Sequence, residues 1–440
     1  MMQRLLIFGF FLMVWTVSAK PNIVIYLSDD HGKGDSGPYG NKAVRTPTLD
    51  ALAKESLVFD RAFASSPTCT PSRSSIYTGL YPMRNGAHGN HSRINDRIKT
   101  WPAYFKDLGY RVVLIGKTHI APRKNFDFEY IDAHMVTNGP PLTEEFNPTR
   151  VEQFLTSHMA TNKSPLCLII ADWNPHVFWT ENHGYDPATV DLPPYLFDTK
   201  ETREMRTRYY SDVTLMDTTL HTCLESIQQH GLGDALFIYT SDQGAQWPHA
   251  KWNLYDAGIA VPFMIHWPGH VTPGRNNALV SMVDLLPTLL EVGGGKAPKG
   301  IDGQSFLPVI LGKKKEFHQE IYAAHTGDGE MNKFPCRCLR TATEKYILNL
   351  DPNHIYTSHI TSANAEDGRY YWDSWVAAAK TNAAAAAMIQ RDQHRPAEEY
   401  YDLTTDPDEL HNQIENPHYA KRIATLREKL AKWRTQQGEP

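Results

Sequence analysis

Residues 21–30 read Pro21-Asn22-Ile23-Val24-Ile25-Tyr26-Leu27-Ser28-Asp29-Asp30, an apolar run that stops abruptly at two acids. A short run with no polar alternation suits a strand buried on both faces, as in a parallel sheet covered by helices. Four more runs of this kind follow, at 111–115, 166–171, 235–240 and 262–267. Between them lie helical patterns at 48–57, 101–108 and 201–230, the last stopped by Gly231. Alternating strand and helix predicts an α/β sheet with helices on both faces.

Three of these runs end in polar chemistry. Leu27 precedes Ser28-Asp29-Asp30, Ile115 precedes Gly116-Lys117-Thr118-His119, and Thr240 precedes Ser241-Asp242-Gln243-Gly244. Open α/β sheets bind ligands beyond the carboxyl ends of their strands. These three segments, far apart in the chain, are therefore expected to meet at one edge of the sheet.

With 440 residues, 41% of them hydrophobic and 11% aromatic, the chain fits one large α/β domain with a smaller appended one. Residues 1–19 read as a secretory leader: Arg4, a mostly apolar run at 5–17, then the small residues of Val17-Ser18-Ala19. The run is short for a membrane span, and no later stretch is apolar enough, so no membrane association is expected after cleavage. Export to a periplasm or medium follows as an expectation. The helical pattern at 281–292 closes the large domain, and the charged stretch at 313–316 marks a boundary. The expected domains are 20–315, catalytic, and 316–440, an α+β subdomain. The latter holds short strands at 321–325, 338–341 and 345–350, an alanine-rich helix at 377–388 and a helix at 420–436. A formal charge of −5 gives no reason to expect nucleic acid and does not exclude an anionic substrate, which local charge decides. Five cysteines, an odd number in an exported chain, leave at least one thiol for another use. Cys336 and Cys338 lack the second pair a zinc site needs.

The central motif is Cys69-Thr70-Pro71-Ser72-Arg73. Pro71 stands where a helix can begin, with 72–80 continuing it. A nucleophile just before a helix N-terminus meets free N–H groups and the positive end of the dipole, which favour an anion. Arg73 can direct a guanidinium at the same oxygens. Taken alone, such a cysteine also reads as a buried residue near a turn.

This segment resembles the Cys-x-Pro-x-Arg signature of the type I sulfatases, in which the cysteine is oxidised to formylglycine. Thr78-Gly79 is similar to the extended signature, and Asn22-Ile23-Val24 with Asp29-Asp30 resembles the N-terminal metal-binding strand. Gly116-Lys117-Thr118-His119 is similar to the Lys-x-His segment, Pro175-His176 to the mid-chain histidine, and Ser241-Asp242-Gln243-Gly244 to the second metal segment. Lys251 matches the late lysine, and EYYDLTTDPDELHN at 399–412 the C-terminal hallmark. Within the family, GKTHIAP (116–122) and KWNLYDAGIAVPF (251–263) are most similar to the sulfamidase-like branch and its bacterial relatives.

The resemblance implies an alkaline-phosphatase-like α/β sandwich and a set of roles. Asp29, Asp30, Asp242 and Gln243, with the modified Cys69, would hold Ca²⁺. Three carboxylates and an amide oxygen suit calcium better than zinc. Asp29-Asp30 alone reads as a turn or capping pair, and the second acid–amide pair favours the metal. Gln243 departs from the Asn or His usual in the family and carries its oxygen one methylene further out. Lys117, His119, His176 and Lys251 would surround the sulfate, supplying cationic donors and a proton for the leaving group. Formylglycine would hydrate to a gem-diol, one hydroxyl attacking sulfur and the other expelling the sulfate. His176 or Lys251 would protonate the leaving group, with Arg73 and Lys117 holding the diol oxygen and charge. A formylglycine-generating maturation enzyme is the implied partner and a sulfated carbohydrate the implied substrate. Residues 330–395 are expected to build specificity, with Arg395 as the candidate contact. His31 is expected to belong to a polar loop, and His88, His91 and His249 read first as ordinary histidines. The rival readings are a phosphatase or phosphonate hydrolase of the same fold, disfavoured by Cys69 and the oxygen-rich metal set, and a non-catalytic glycan-binding relative.

Overall fold

The computed structural model describes residues 20–131, 146–329 and 331–439. The expected leader lies outside the described residues.

The strands in chain order are β1 (Ile23–Ser28), β2 (Leu57–Phe59), β3 (Ala62–Phe63), β4 (Arg111–Gly116), β5 (Glu129–Ile131), β6 (Leu166–Ala171), β7 (Leu236–Ser241), β8 (Phe263–His266), β9 (Gly274–Asn276), β10 (Val280–Ser281), β11 (Glu320–His325), β12 (Cys336–Thr341), β13 (Glu344–Asn349) and β14 (Glu398–Asp402). One eight-stranded sheet runs β5-β4-β6-β1-β7-β8-β2-β9, and of its strands only β8 opposes the rest. β1 lies at its centre, with Leu27 paired to Ala171 on one side and Ser28 to Ser241 on the other.

The unbroken apolar runs serve two cores at once, because side chains alternate across a strand. Val24, Tyr26, Val113, Ile115, Leu168 and Ile170 face a core shared with Met205, Tyr209, Val213 and Met216. These four belong to the helix Lys200–Gln229, which Thr199 caps through its hydroxyl. Ile23, Ile25, Leu27, Val112, Leu114 and Ile169 face a second core with Ile76, Trp101, Phe105, Leu286 and Leu289. Polar alternation on any of these strands would have placed a polar group in one of the two layers.

The C-terminal strands form an antiparallel sheet, β11-β12-β13-β14. The helix Ala420–Gln436 lies on it through Ile423, Leu426, Leu430 and Trp433. β14 overlaps the start of the 399–412 hallmark and adds a strand to those expected. The expected helix at 377–388 is two helices, Tyr370–Ala379 and Ala383–Gln393. Asn382 breaks them, its side-chain oxygen accepting from Ala384 and Ala385 N–H at 2.9 and 3.3 Å, an N-cap that propensity alone does not reveal. The segment expected to be a helix from 281 starts as strand and 3-10 turn, becoming α-helix at Leu285. The helix pair packs against the large domain: Trp375 Nε1 donates to Thr202 Oγ1 at 2.8 Å, and Tyr371, Trp372 and Trp375 join the first core. Among the described residues no helix is long and apolar enough to cross a membrane.

Candidate active site

The three strand-end segments meet as expected. Asp242 N–H donates to Ser28 O at 3.2 Å, and Asp30 N–H returns to Asp242 Oδ1 at 3.2 Å. Asp30 has φ 63°, a left-handed conformation that aspartate tolerates better than most residues. Lys117 N–H donates to Ala171 O at 2.9 Å. The chain reaches that position through Gly116, at φ 94°, where a Cβ would lie 2.3 Å from the same carbonyl oxygen.

The fourth component is the helix Cys69–Thr78. Cys69 is its first residue, so the nucleophile position lies in the first turn rather than before it, and Pro71 is the third helical residue. Ser72 Oγ clamps the helix to the sheet end by donating to Asp242 O at 2.6 Å. Cys69 Sγ then lies 3.6 Å from Asp29 Oδ1, 3.1 Å from Gln243 Nε2 and 3.9 Å from Lys117 Nζ.

Around this sulfur, three buried carboxylates face three buried cations. Oxygens of Asp29, Asp30 and Asp242 all lie within 4.8 Å of one another. Arg73 Nε donates to Asp242 Oδ2 at 2.8 Å, Lys251 Nζ to Asp30 Oδ2 at 2.6 Å, and Lys117 to Asp29 Oδ2. The formal sum is 3 − 3 = 0, and a divalent cation would make it +2. Burial together with Asp242 pushes the Asp30 carboxyl up to about 6, against the pull of Lys251. A cation at this point would remove that penalty.

Two sets of buried atoms test whether the residues fit a metal and an anion. Gln243 Oε1 is buried with no hydrogen-bond partner, while its Nε2 donates to Asp30 Oδ1 at 2.6 Å. With a cation among the carboxylates, the amide carbonyl is the end that belongs there. Arg73 Nη1 and Nη2 likewise lack acceptors, and Nη2 is 3.7 Å from Asp29. Buried donors of this kind suit an oxyanion. The donor set therefore fits calcium, with an anion beside it.

Burial pushes the Cys69 thiol up to about 12, so as cysteine the residue is protonated and a poor nucleophile. His176 Nε2 lies 3.8 Å from Asp30 Oδ2, and its Nδ1 is 2.6 Å from Val177 O. Burial, with Lys251 and Lys117 nearby, holds His176 well below the ordinary histidine range. His119 is half-buried; desolvation, with Lys117 nearby, holds it well below the ordinary histidine range, and its Nε2 lies 2.9 Å from His91 Nδ1.

Three expectations change. His31 is not in a solvated loop: it is buried, with Nδ1 2.7 Å from Tyr239 Oη and Nε2 3.0 Å from Asp35 O. Arg395 is buried in its own subdomain: its guanidinium stacks on Tyr356 at 4.0 Å, Nε donates to Asp392 O at 3.1 Å, and Nη2 pairs with Asp392 Oδ1 at 3.4 Å. His91, taken as ordinary, touches His119, and Asp328 behind it was not singled out at all. His249 is a packing residue, stacked on Tyr255 at 3.7 Å.

A family model described as Sulfatase matches residues 21–295, and one described as N-sulphoglucosamine sulphohydrolase, C-terminal, matches 246–356. The chain belongs to the sulfatase family and is a hydrolase with the alkaline-phosphatase-like fold. It is 33% identical to an ulvan-active sulfatase of Formosa agariphila over 96% of this chain and 82% of that protein. It is 28% identical to human N-sulphoglucosamine sulphohydrolase over 96% and 91% of the two chains. It also superposes, at TM-score 0.71 and 19% identity over 95% and 98% of the chains, on a solved protein in complex with its substrate D-glucosamine-2-N,6-O-disulfate.

Proposed function

We propose that this chain releases inorganic sulfate from a sulfated saccharide, as ester or sulfamate, with calcium bound and Cys69 converted to formylglycine. The observation that carries this reading is a sulfur enclosed by three carboxylates and three cations, whose thiol is held protonated by burial. Formylglycine at position 69 would supply an oxygen nucleophile inside this enclosure of charges, which a protonated thiol does not. Asp29, Asp30, Asp242 and Gln243 are the residues that would hold calcium, which as a Lewis acid neutralises charge on oxygens. The relatives named above act on ulvan and N-sulphoglucosamine, which supports a saccharide carrier.

Arg73, Lys117 and Lys251 bind the anion, each from a buried position. For the leaving-group proton we assign Lys251. A carbonyl oxygen only accepts, so the Val177 contact puts the His176 proton on Nδ1 and leaves a lone pair on Nε2. Lys251 loses some basicity to burial, but Asp30 more than compensates and keeps it charged. We assign residues 20–315 to catalysis, 316–440 to the appended subdomain, and 1–19 to an export leader toward the periplasm or medium.

Peptide mass spectrometry of active, exported protein tests these assignments together. A mass about 18 Da below cysteine is expected at position 69, whereas oxidation to oxyacids adds mass. The N-terminus is expected at Lys20. Full turnover of a sulfated saccharide by protein carrying unmodified Cys69 would overturn the mechanism.

A further inference from the structure

His119 follows Lys117 by two residues and has φ 42°. Its Nδ1 is buried and has no partner. Its Nε2 makes one contact, 2.9 Å from His91 Nδ1. His91, at φ 58°, is tied to the nucleophile helix: its N–H donates to Thr70 Oγ1 at 3.2 Å, and Asn90 Oδ1 accepts from Thr70 N–H at 3.1 Å. Asn90 N–H donates in turn to Gly327 O at 2.9 Å, joining this loop to the turn after β11. That turn presents Asp328. Its Oδ1 lies 3.4 Å from His91 Nε2, and its Oδ2 accepts from Trp252 Nε1 at 3.0 Å.

The Asp328 contact sets the direction of the protons. A carboxylate only accepts, so His91 carries its proton on Nε2 and a lone pair on Nδ1. The His119 contact then requires His119 Nε2–H to donate to that lone pair, which leaves His119 Nδ1 unprotonated. Asn90 Nδ2 also lies 3.4 Å from His91 Nε2. An amide nitrogen donates, so Asn90 competes for that nitrogen, but the charged Asp328 oxygen at the same 3.4 Å is the stronger partner and keeps the proton on His91 Nε2. Burial opposes the charge on Asp328, but the hydrogen bond from His91 helps to hold the carboxyl below its usual range.

We propose that His91 and Asp328 are positioning residues that lock His119 in the tautomer with its proton on Nε2 and an accepting lone pair on the buried Nδ1, so that the C-terminal subdomain completes the catalytic site. This rests on the functional reading above; an accepting Nδ1 beside Lys117 can take a proton from a hydroxyl at the site, since a lone pair offers a sulfate oxygen nothing to bind. Carboxylate–imidazole contacts of this kind set the tautomer and orientation of a working histidine elsewhere.

Asp328→Asn is the discriminating variant because it keeps the shape and an oxygen for Trp252. Its amide N–H, facing His91 Nε2, reverses both histidine tautomers. With calcium-loaded, formylglycine-bearing enzyme and 4-nitrocatechol sulfate, kcat is expected to fall about 10- to 100-fold with KM little changed. His91→Phe should fall similarly, because no acceptor remains for His119 Nε2–H. His91→Gln should recover most of the loss, because its carbonyl accepts that proton. ¹⁵N spectra of histidine-labelled wild-type protein, assigned through His119→Gln, should show the His119 proton on Nε2. They remain decisive even where a variant fails to fold. A proton on Nδ1 in the wild type, an unchanged kcat in Asp328→Asn, or equal rates for His91→Phe and His91→Gln would overturn the proposal. Failure of the wild type to turn over any sulfate would count against the functional reading, while the tautomer measurement would still judge the relay.

Discussion

Replacing Asp242 by asparagine separates the pairing of Arg73, which the structure shows, from the proposed holding of calcium. In chelated protein the wild-type cluster is balanced, three carboxylates against three cations. Asp242→Asn keeps the shape but leaves a sum of 3 − 2 = +1 in a fully buried place. Arg73, whose Nη groups already lack acceptors, then has only Asp29, at 3.7 Å. Removing one partner of a buried pair costs about 3–5 kcal/mol. Unfolding entropy of about 2.1 cal/mol/K per residue, over 440 residues, converts this to a fall in Tm of about 3–5 °C.

Calcium should widen that gap. At a calcium concentration about 1,000 times the dissociation constant, the wild type gains about 4 kcal/mol, or roughly 4 °C. Loss of an anionic ligand should weaken calcium at least about 100-fold, the upper range for removing a mere outer partner. The variant would then keep little more than 1 kcal/mol of that gain. Differential scanning fluorimetry of both proteins, in EGTA and in calcium, reads all four values. The expected difference between the proteins is about 3–5 °C in EGTA and about 6–8 °C in calcium. An equal difference in both conditions would show that Asp242 is not a calcium ligand. A wild-type Tm unmoved by EGTA would refute the metal site.

Glu409→Ala should act on stability alone. Glu409 Oε1 lies 2.8 Å from the buried Lys345 Nζ and its other oxygen accepts from Asp256 N–H, but Lys345 keeps Asp256 at 2.6 Å. A loss of about 3 kcal/mol is therefore expected in thermal unfolding, with the calcium-induced shift unchanged; a lost calcium response would contradict this placement. Arg395→Ala should also lower Tm, because it removes the stack on Tyr356 and leaves Asp392 without its cation. Its kcat/KM should change equally on an aryl sulfate and on a sulfated saccharide, and a loss confined to the saccharide would restore the idea of a sugar contact.

Much of the fold was legible because the strands are buried on both faces. A run such as 23–27 has no polar residue to mislead, and the acids where it stops stand out. The start of the nucleophile helix was less legible. Proline is favoured in the first turn because its missing N–H has no helical partner, but the first four N–H groups share that property. Pro71 therefore marks the turn without marking its first residue. Arg395 lies near the 399–412 hallmark in sequence, yet proximity along the chain says nothing about direction, and the aromatic ring that claims it is 39 positions away at Tyr356. His91 and Asp328 were hidden more deeply. They come from loops of different subdomains, 237 positions apart, and alone each is an ordinary polar residue. That the His91 loop returns to Thr70, inside the nucleophile motif, is visible only in the structure.

The formal charge balance predicts weak anion binding in the metal-free state. Lys117, Lys251 and Arg73 each face a carboxylate, so a sulfate arriving in the absence of metal meets a neutral cluster and must compete with buried acids for every cation. In the proposed function, a calcium ion among Asp29, Asp30 and Asp242 would engage those acids instead and raise the sum to +2. The lysines can then serve an oxyanion, and the Arg73 Nη groups, without acceptors in the protein, are already placed for one. Metal binding and anion binding are then coupled through the same three carboxylates, and linkage makes the coupling reciprocal. Sulfate, the product, should tighten calcium by the same factor by which calcium tightens sulfate.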